Sequence, residues 1–291
     1  MERTVTLQVD RAAGELHGLR NPLGHTSRAK ITAKHLGECK LTGELKAVHY
    51  GHFGGKRAAL IVFGFTFHFQ TSRKLFRYTS ASIKITFSSI NTDTIDHREP
   101  IVQKFFPAAV FGECVKEKLE WKWEVPLLFG TSSLLPVELG VHPKVGQHTT
   151  VERGQRAEIH GITFGYPNVQ DANVVQWDLS ENKAQQDGVP HYFPCAAIVL
   201  HERGEFKAEV TVKVSTALSI AGFDPRAWIM NAKPWSKDDP LHFDWSIVPE
   251  GVSTLAELRE LDLSTLTEDQ CKMLTPLPVE YQVCYYSKAS N

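Results

Sequence analysis

The densest collection of chemistry-bearing side chains lies at 228–245, WIMNAKPWSKDDPLHFDW. Trp228, Trp235 and Trp245 stand there with Phe243 among prolines and ionisable groups. Ligand pockets combine an apolar, aromatic lining with a few placed polar groups. On that pattern the candidate ligand-binding residues are Arg226, Trp228, Trp235, Asp239, His242, Asp244 and Trp245, with Asp224 as a further polar group. The competing reading is a long connection that covers one face of a sheet. A catalytic acid or base would need a shifted pKa, which a sequence does not display, so no residue is assigned a catalytic role. A second place to look is WDLSEN at 177–182, where Asp178 and Glu181 are expected as turn and edge residues.

Other constellations fail on spacing. GHFGGKR at 51–57 has the glycines of a phosphate loop but not the register. Lys56 is followed by Arg57 rather than Ser or Thr, and a Phe-rich strand pattern follows where a helix is required. A glycine hairpin turn fits better. GITFG at 161–165 has the spacing of a nucleophile elbow with Thr163 in place of serine, but no strand–turn–helix corner surrounds it. The chain has thirteen histidines without an H-x-H or H-E-x-x-H pair, so no metal site is expected. His68 is expected to be hydrogen-bonded or exposed. Asp238, Asp239 and Asp244 form one acidic loop, whereas calcium takes six to eight oxygens. No cofactor is implied.

Composition narrows the classes further. The 32 basic and 33 acidic residues leave a net charge of −1, against the basic excess of a nucleic-acid binder. No apolar run approaches the roughly 20 residues of a membrane-spanning helix, and the N-terminus has no apolar signal core. The five cysteines are odd in number and widely spaced, with no C-x-x-C and no N-x-S/T sequon in the chain. Cytoplasmic residence with inert thiols is the expectation.

The elements that must position any site are strands. In ALIVFGFTFHFQ at 59–70, Ile61, Phe63, Phe65, Phe67 and Phe69 recur with period two and share one face of a long strand. Gly64, on the opposite face, marks a bulge or a close backbone approach. The same alternation occupies Ile83–Phe87, Leu119–Val125 and Phe206–Val214. Strands are also expected near Arg156–Thr163, Val174–Leu179 and Val279–Tyr286. Ala196–Leu200, the polar turn HERGE at 201–205 and the strand from Phe206 read as a hairpin. Thr254-x-x-Glu257 and Thr267-x-x-Gln270 are capping boxes, predicting two short helices near 254–274.

The fold class expected is therefore all-β: two antiparallel sandwich or flattened-barrel domains with two short C-terminal helices. The Pro- and Gly-containing stretch around 131–155 places the boundary near 145, giving domains 1–145 and 146–291. A faint echo between AALIVF at 58–63 and AAIVLH at 196–201 is compatible with similar halves.

FRYTSASIKITF at 76–87, EPIVQKFFP at 99–107 and WDLSENKAQQDGVPHYF at 177–193 together resemble an intracellular protein family of filamentous fungi. None of the three is a catalytic motif, and no functional residue is carried over. A looser, fold-level similarity is to fungal lipocalin-like cyclases of the Diels–Alderase type, which act by holding a reactive chain in an apolar cavity. That similarity implies an apolar small-molecule partner and a cyclase or isomerase of secondary metabolism. The alternative is a non-catalytic protein-interaction module that binds a protein through loops or an open sheet edge.

Overall fold

The computed structural model describes residues 4–5, 19–21, 28–36, 39–69, 76–90, 99–126, 144–165, 171–201, 205–218, 238–245, 252, 262–277 and 282–284. The chain begins with β1 (Thr4–Val5), β2 (Lys30–Leu36), β3 (Cys39–Phe53) and β4 (Lys56–Phe69). β5 (Phe76–Ser89), β6 (Ile101–Phe106) and β7 (Ala109–Phe111) follow. β8 (Val115–Pro126) and β9 (Lys144–Gln155) pair with each other. The later strands are β10 (Glu158–Phe164), β11 (Val174–Ser180), β12 (Tyr192–Leu200), β13 (Glu205–Leu218), β14 (Leu241–Asp244) and β15 (Gln282–Cys284).

The protein is all-β, with two antiparallel sheets facing each other. One sheet has the order β1-β13-β5-β11-β10-β7-β15, with β14 also paired to β13. The second has the order β2-β3-β4-β12-β6. The phenylalanine row behaves as its period requires. Ile61, Phe63, Phe65 and Phe67 are all at most 2% exposed, and they share one core cluster with Ile83, Ile85 and Phe87 of the opposite sheet. Each such ring contributes about 1.5–3 kcal/mol by leaving water, so this interdigitated layer holds the two sheets together.

The other face of β4 changes character along its length. Ala58, Leu60 and Val62 are buried in a second cluster with Leu263 and Cys271. Gly64 admits the Tyr192 ring, whose Oη would lie 2.6 Å from a Cβ placed there. At the far end His68 is exposed. The covering at Leu263 and Cys271 comes from a 3-10 turn (Leu263–Thr265) and helix α1 (Glu268–Leu274). α1 starts where the capping box requires: Gln270 N–H donates to Thr267 Oγ1, and Thr267 N–H donates to Gln270 Oε1. The capping box at Thr254 lies outside the described residues.

Gly54 and Gly55, with φ of 57° and 80°, make the two-residue turn between β3 and β4. Successive positive φ values close a tight hairpin without splaying its strands. GHFGGKR is thus turn chemistry. GITFG lies within and just beyond β10, as a strand end.

Two expectations are corrected. Ala196–Leu200 and the strand from Phe206 are not a hairpin: β12 lies between β4 and β6 in one sheet, while β13 pairs with β5 in the other. Residues 193–199 are buried without interruption. An interior strand covered on both faces lacks the alternation of a half-solvated hairpin arm, and the chain crosses between layers after Leu200. Nor does residue 145 divide the sheets, since β4 pairs with β12 and β5 with both β11 and β13. Strands from both sides of that position build both layers, which share one core. The runs that echo each other, 58–63 and 196–201, are neighbours in the same sheet, with Ala58 opposite Leu200 and Val62 opposite Ala196.

Candidate functional site

A cavity of about 490 Å³ opens where β4 ends and β5 begins. Phe67 and His68 line it from β4, Arg77 and Tyr78 from β5, and the segment 185–191 closes the remaining side. Its rings are ordered against each other. Phe67 meets Tyr78 edge to face at 5.5 Å, and His68 meets His191 in the same manner at 5.3 Å. Tyr78 is 3% exposed, so its ring forms a fixed wall.

The closing segment has no regular secondary structure and is tied to its surroundings by several hydrogen bonds, some through Glu181 just before it. Arg77 Nε donates to Glu181 Oε2 at 2.7 Å, and Arg77 Nη2 donates to Glu181 Oε1 at 3.3 Å, a two-pronged pair with both partners buried. Glu181 Oε2 also accepts from Gly188 N–H at 3.2 Å. Gly188 has φ of 86°, and a Cβ there would stand 3.3 Å from the Tyr78 carbonyl oxygen, so glycine is needed for the loop to lie this close to β5. Finally, Val189 N–H donates to the Tyr78 carbonyl at 2.9 Å. The Glu181 carboxylate balances the Arg77 charge, leaving the pocket wall aromatic and polar rather than cationic.

His191 is anchored at both backbone and ring. Its carbonyl accepts from Phe67 N–H at 2.8 Å, and its Nδ1 lies 2.7 Å from the Phe67 carbonyl oxygen. A carbonyl can only accept, so Nδ1 carries a proton, and in the neutral ring the lone pair sits on Nε2. His68 and His191 are both exposed on the pocket side.

Of the residues that the sequence pointed to, Asp239, His242, Asp244 and Trp245 are described, and none of these four lines the cavity. Arg226, Trp228 and Trp235, with Asp224, fall outside the described residues. Asp239 is engaged in joining chain segments: it pairs with Arg20 at 2.5 Å and accepts from Asn21 N–H at 3.1 Å. The Arg20 hydrogen bond holds its carboxyl below the usual range. Its neighbour Asp238 pairs with Lys34 at 3.0 Å. His242 and Asp244 lie on β14, in register with Lys207 and Glu205 of β13.

Trp245 follows β14 and joins a ring cluster. It stands 5.6 Å from Tyr50, 5.7 Å from His201 and 6.1 Å from His52, with the Arg57 guanidinium 5.6 Å from its ring centre. His201 continues to Phe206 at 5.1 Å, which stacks on Phe243 at 4.9 Å. Burial pushes the Tyr50 hydroxyl above its ordinary range. Burial, helped by Arg57, depresses His201 to about 4. This cluster lies beside the Ser89 end of β5, since Phe206 pairs with Ser89. The pocket lies at the Arg77 end, roughly 40 Å away at ~3.3 Å per strand residue.

No family model matches the chain. No curated protein matches it either. Among solved structures, the NetB toxin of Clostridium perfringens in its membrane-inserted form is similar at 10% identity with a TM-score of 0.26, covering 65% of this chain and 83% of that one. So low a score supports no conclusion about this chain. Among the described residues no helix is long and apolar enough to cross a membrane.

Sequence reasoning missed Arg77 and His191, and it named Glu181 in another role. Glu181 was expected as an edge residue, yet it is the buried partner of an arginine 104 positions away. Asp178 is not an edge residue either: β11 lies between β5 and β10, and Asp178 is exposed on the sheet face, where it accepts from Gln176 Nε2. The one local signal for the pocket was Asp187-Gly188, a turn pair in a stretch without periodicity.

Proposed function

We propose that this protein binds a small molecule in the pocket between β4, β5 and the 185–191 segment. The observation that carries the reading is a cavity of about 490 Å³ lined by four rings. That volume lies within the roughly 300–1,000 Å³ of ligand sites, and an aromatic wall with a few polar groups is their usual lining. The buried Arg77–Glu181 pair and Gly188 support it by fixing the loop before a ligand arrives, which lowers the ordering cost of binding. The ligand class that fits is a flat, largely apolar molecule with a hydrogen-bond donor for His191 Nε2. A cyclisation or isomerisation there would work by orientation, with His68, His191 and Asp187 as the nearby proton carriers among the described lining residues.

A protein-interaction surface has less support. The large apolar residues that are exposed among those described, Ile162, Tyr192 and Met273, lie on three separate elements and form no patch.

The test is a ligand-observed NMR screen of aromatic fragments, indole among them, on the full chain and on Asp187→Trp. Asp187 is an exposed pocket residue, so an indole there fills the space with little effect on folding. Binding to the parent chain and its loss in the variant are expected. Absence of binding, or binding that the variant leaves unchanged, would overturn the reading.

A further inference from the structure

We infer that the ribbon β8–β9 is an arm that lays one of its faces on a lipid bilayer. The inference makes no use of the pocket. β8 and β9 pair along their whole length, from Val115 opposite Gln155 to Pro126 opposite Lys144. Among the described strands they pair with neither sheet of the sandwich. A two-stranded ribbon is at best marginally stable alone in water, so an apolar face on it calls for a covering.

The register divides the residues between two faces. One face takes the positions of Leu119, Trp121, Trp123 and Val125, opposite Val151, Thr149, Gln147 and Val145. None of these positions is charged. The other face takes Lys118, Glu120, Lys122 and Glu124, opposite Glu152, Thr150, His148 and Gly146. Glu117 opposite Arg153 ends the uncharged stretch, at the end where the chain enters from β7 and leaves to β10.

Three observations select a bilayer as the covering. The first is area. The uncharged stretch is about 20 Å long at ~3.4 Å per residue, and two strands are about 10 Å wide. That gives roughly 200 Å², against about 800 Å² per partner in a stable protein interface. A second copy or another protein gains too little from this face, whereas attachment to a bilayer grows with whatever apolar area enters it. The second is the connection between the strands. Residues 127–143, LLFGTSSLLPVELGVHP, have Glu138 as their single Asp, Glu, Lys or Arg. Connections that run through water are usually rich in polar residues, and a chain that touches hydrocarbon must be poor in charge. The third is residue type. Trp is enriched where membrane meets water, and Trp121 and Trp123 take the middle of the uncharged face.

A ribbon lying flat keeps its open edges at headgroup level, where water reaches their N–H and C=O groups. Within hydrocarbon those groups would be unpaired. The two strands carry five basic and four acidic residues, so attraction to anionic lipid adds little.

The experiment mixes the full chain with phosphatidylcholine vesicles, made with and without phosphatidylglycerol. Co-sedimentation measures binding, and quenching of tryptophan fluorescence by brominated phosphatidylcholine reports contact with acyl chains. Comparable sedimentation with both vesicles, accompanied by quenching, is expected. Trp121→Phe/Trp123→Phe should still sediment but lose most of the quenching, which assigns the contact to this face. Trp121→Glu/Trp123→Glu should lower partition about tenfold or more. Lys122→Gln/Glu124→Gln, on the other face, should leave it unchanged. Urea midpoints check that the sandwich is intact, and the Phe variant carries the test if the Glu variant misfolds. A parent chain that stays in the supernatant with both vesicles would overturn the inference. So would parental quenching in the Phe variant or parental sedimentation in a folded Glu variant. Dimers in lipid-free solution that the Glu variant abolishes, with no sedimentation, would assign the face to a second copy and overturn it as well.

Discussion

His201 offers the sharpest quantitative test of the packing described above. It is 5% exposed, and among the described residues neither ring nitrogen has a hydrogen-bond partner. Tyr50, Trp245 and Phe206 surround it, and Arg57 adds a positive charge nearby. Burial first, and Arg57 second, lower its pKa from 6.5 to about 4. A folded-state value below the unfolded one means that the unfolded chain takes the proton first. The resulting stability is complete above about pH 6.5 and declines as pH falls toward 4, below which this residue adds no further loss. At about 1.4 kcal/mol for each tenfold change in proton affinity, the full decline is roughly 3 kcal/mol. The perturbation is His201→Phe, which keeps a ring in the cluster and removes the titration. Urea unfolding of both proteins at pH 7.5, 6, 5 and 4 gives the difference in stability at each pH. Packing changes in the variant contribute equally at every pH, so only the pH-dependent part counts. The variant is expected to gain on the parent by about 3 kcal/mol between pH 7.5 and 4. Parallel pH profiles for the two proteins would refute the placement of His201 as a buried, unpartnered imidazole.

Two further perturbations probe the pocket frame. Glu181→Gln should destabilise the chain by about 3–5 kcal/mol in urea unfolding, because it removes the carboxylate charge from a buried, two-pronged ion pair with Arg77. Adding Arg77→Met should recover much of that loss, and a double variant no more stable than Glu181→Gln would contradict a paired arrangement. Gly188→Ala should cost about 1–2 kcal/mol, since φ of 86° is strained for a residue with a Cβ. Fragment affinity should fall with it, and a variant of parental stability and affinity would show that the loop is not held as described.

What the sequence determined by itself was local. Period two in the phenylalanine row assigned a face to each residue of β4, because successive strand side chains alternate. Gly54-Gly55 specified a tight turn, and Thr267 with Gln270 specified the start of α1, because backbone dihedrals and capping hydrogen bonds involve residues a few positions apart. The all-β class followed from repetition of such signals.

Tertiary structure decided which strands pair and where a cavity forms. A solitary apolar run such as Ala196–Leu200 carries no mark of its neighbours, so its place between β4 and β6, and the crossing to β13, came only from packing. Composition cannot distinguish rings that line a space from rings that fill one, and for Phe243 and Trp245 only packing showed which rings they meet. The pocket itself is assembled from 67–68, 77–78 and 185–191, three unremarkable stretches of chain. Its buried ion pair joins residues 104 positions apart. Side-chain chemistry is written residue by residue, but a cavity exists only in the distances between segments, and those are set by how two whole sheets close on a shared core.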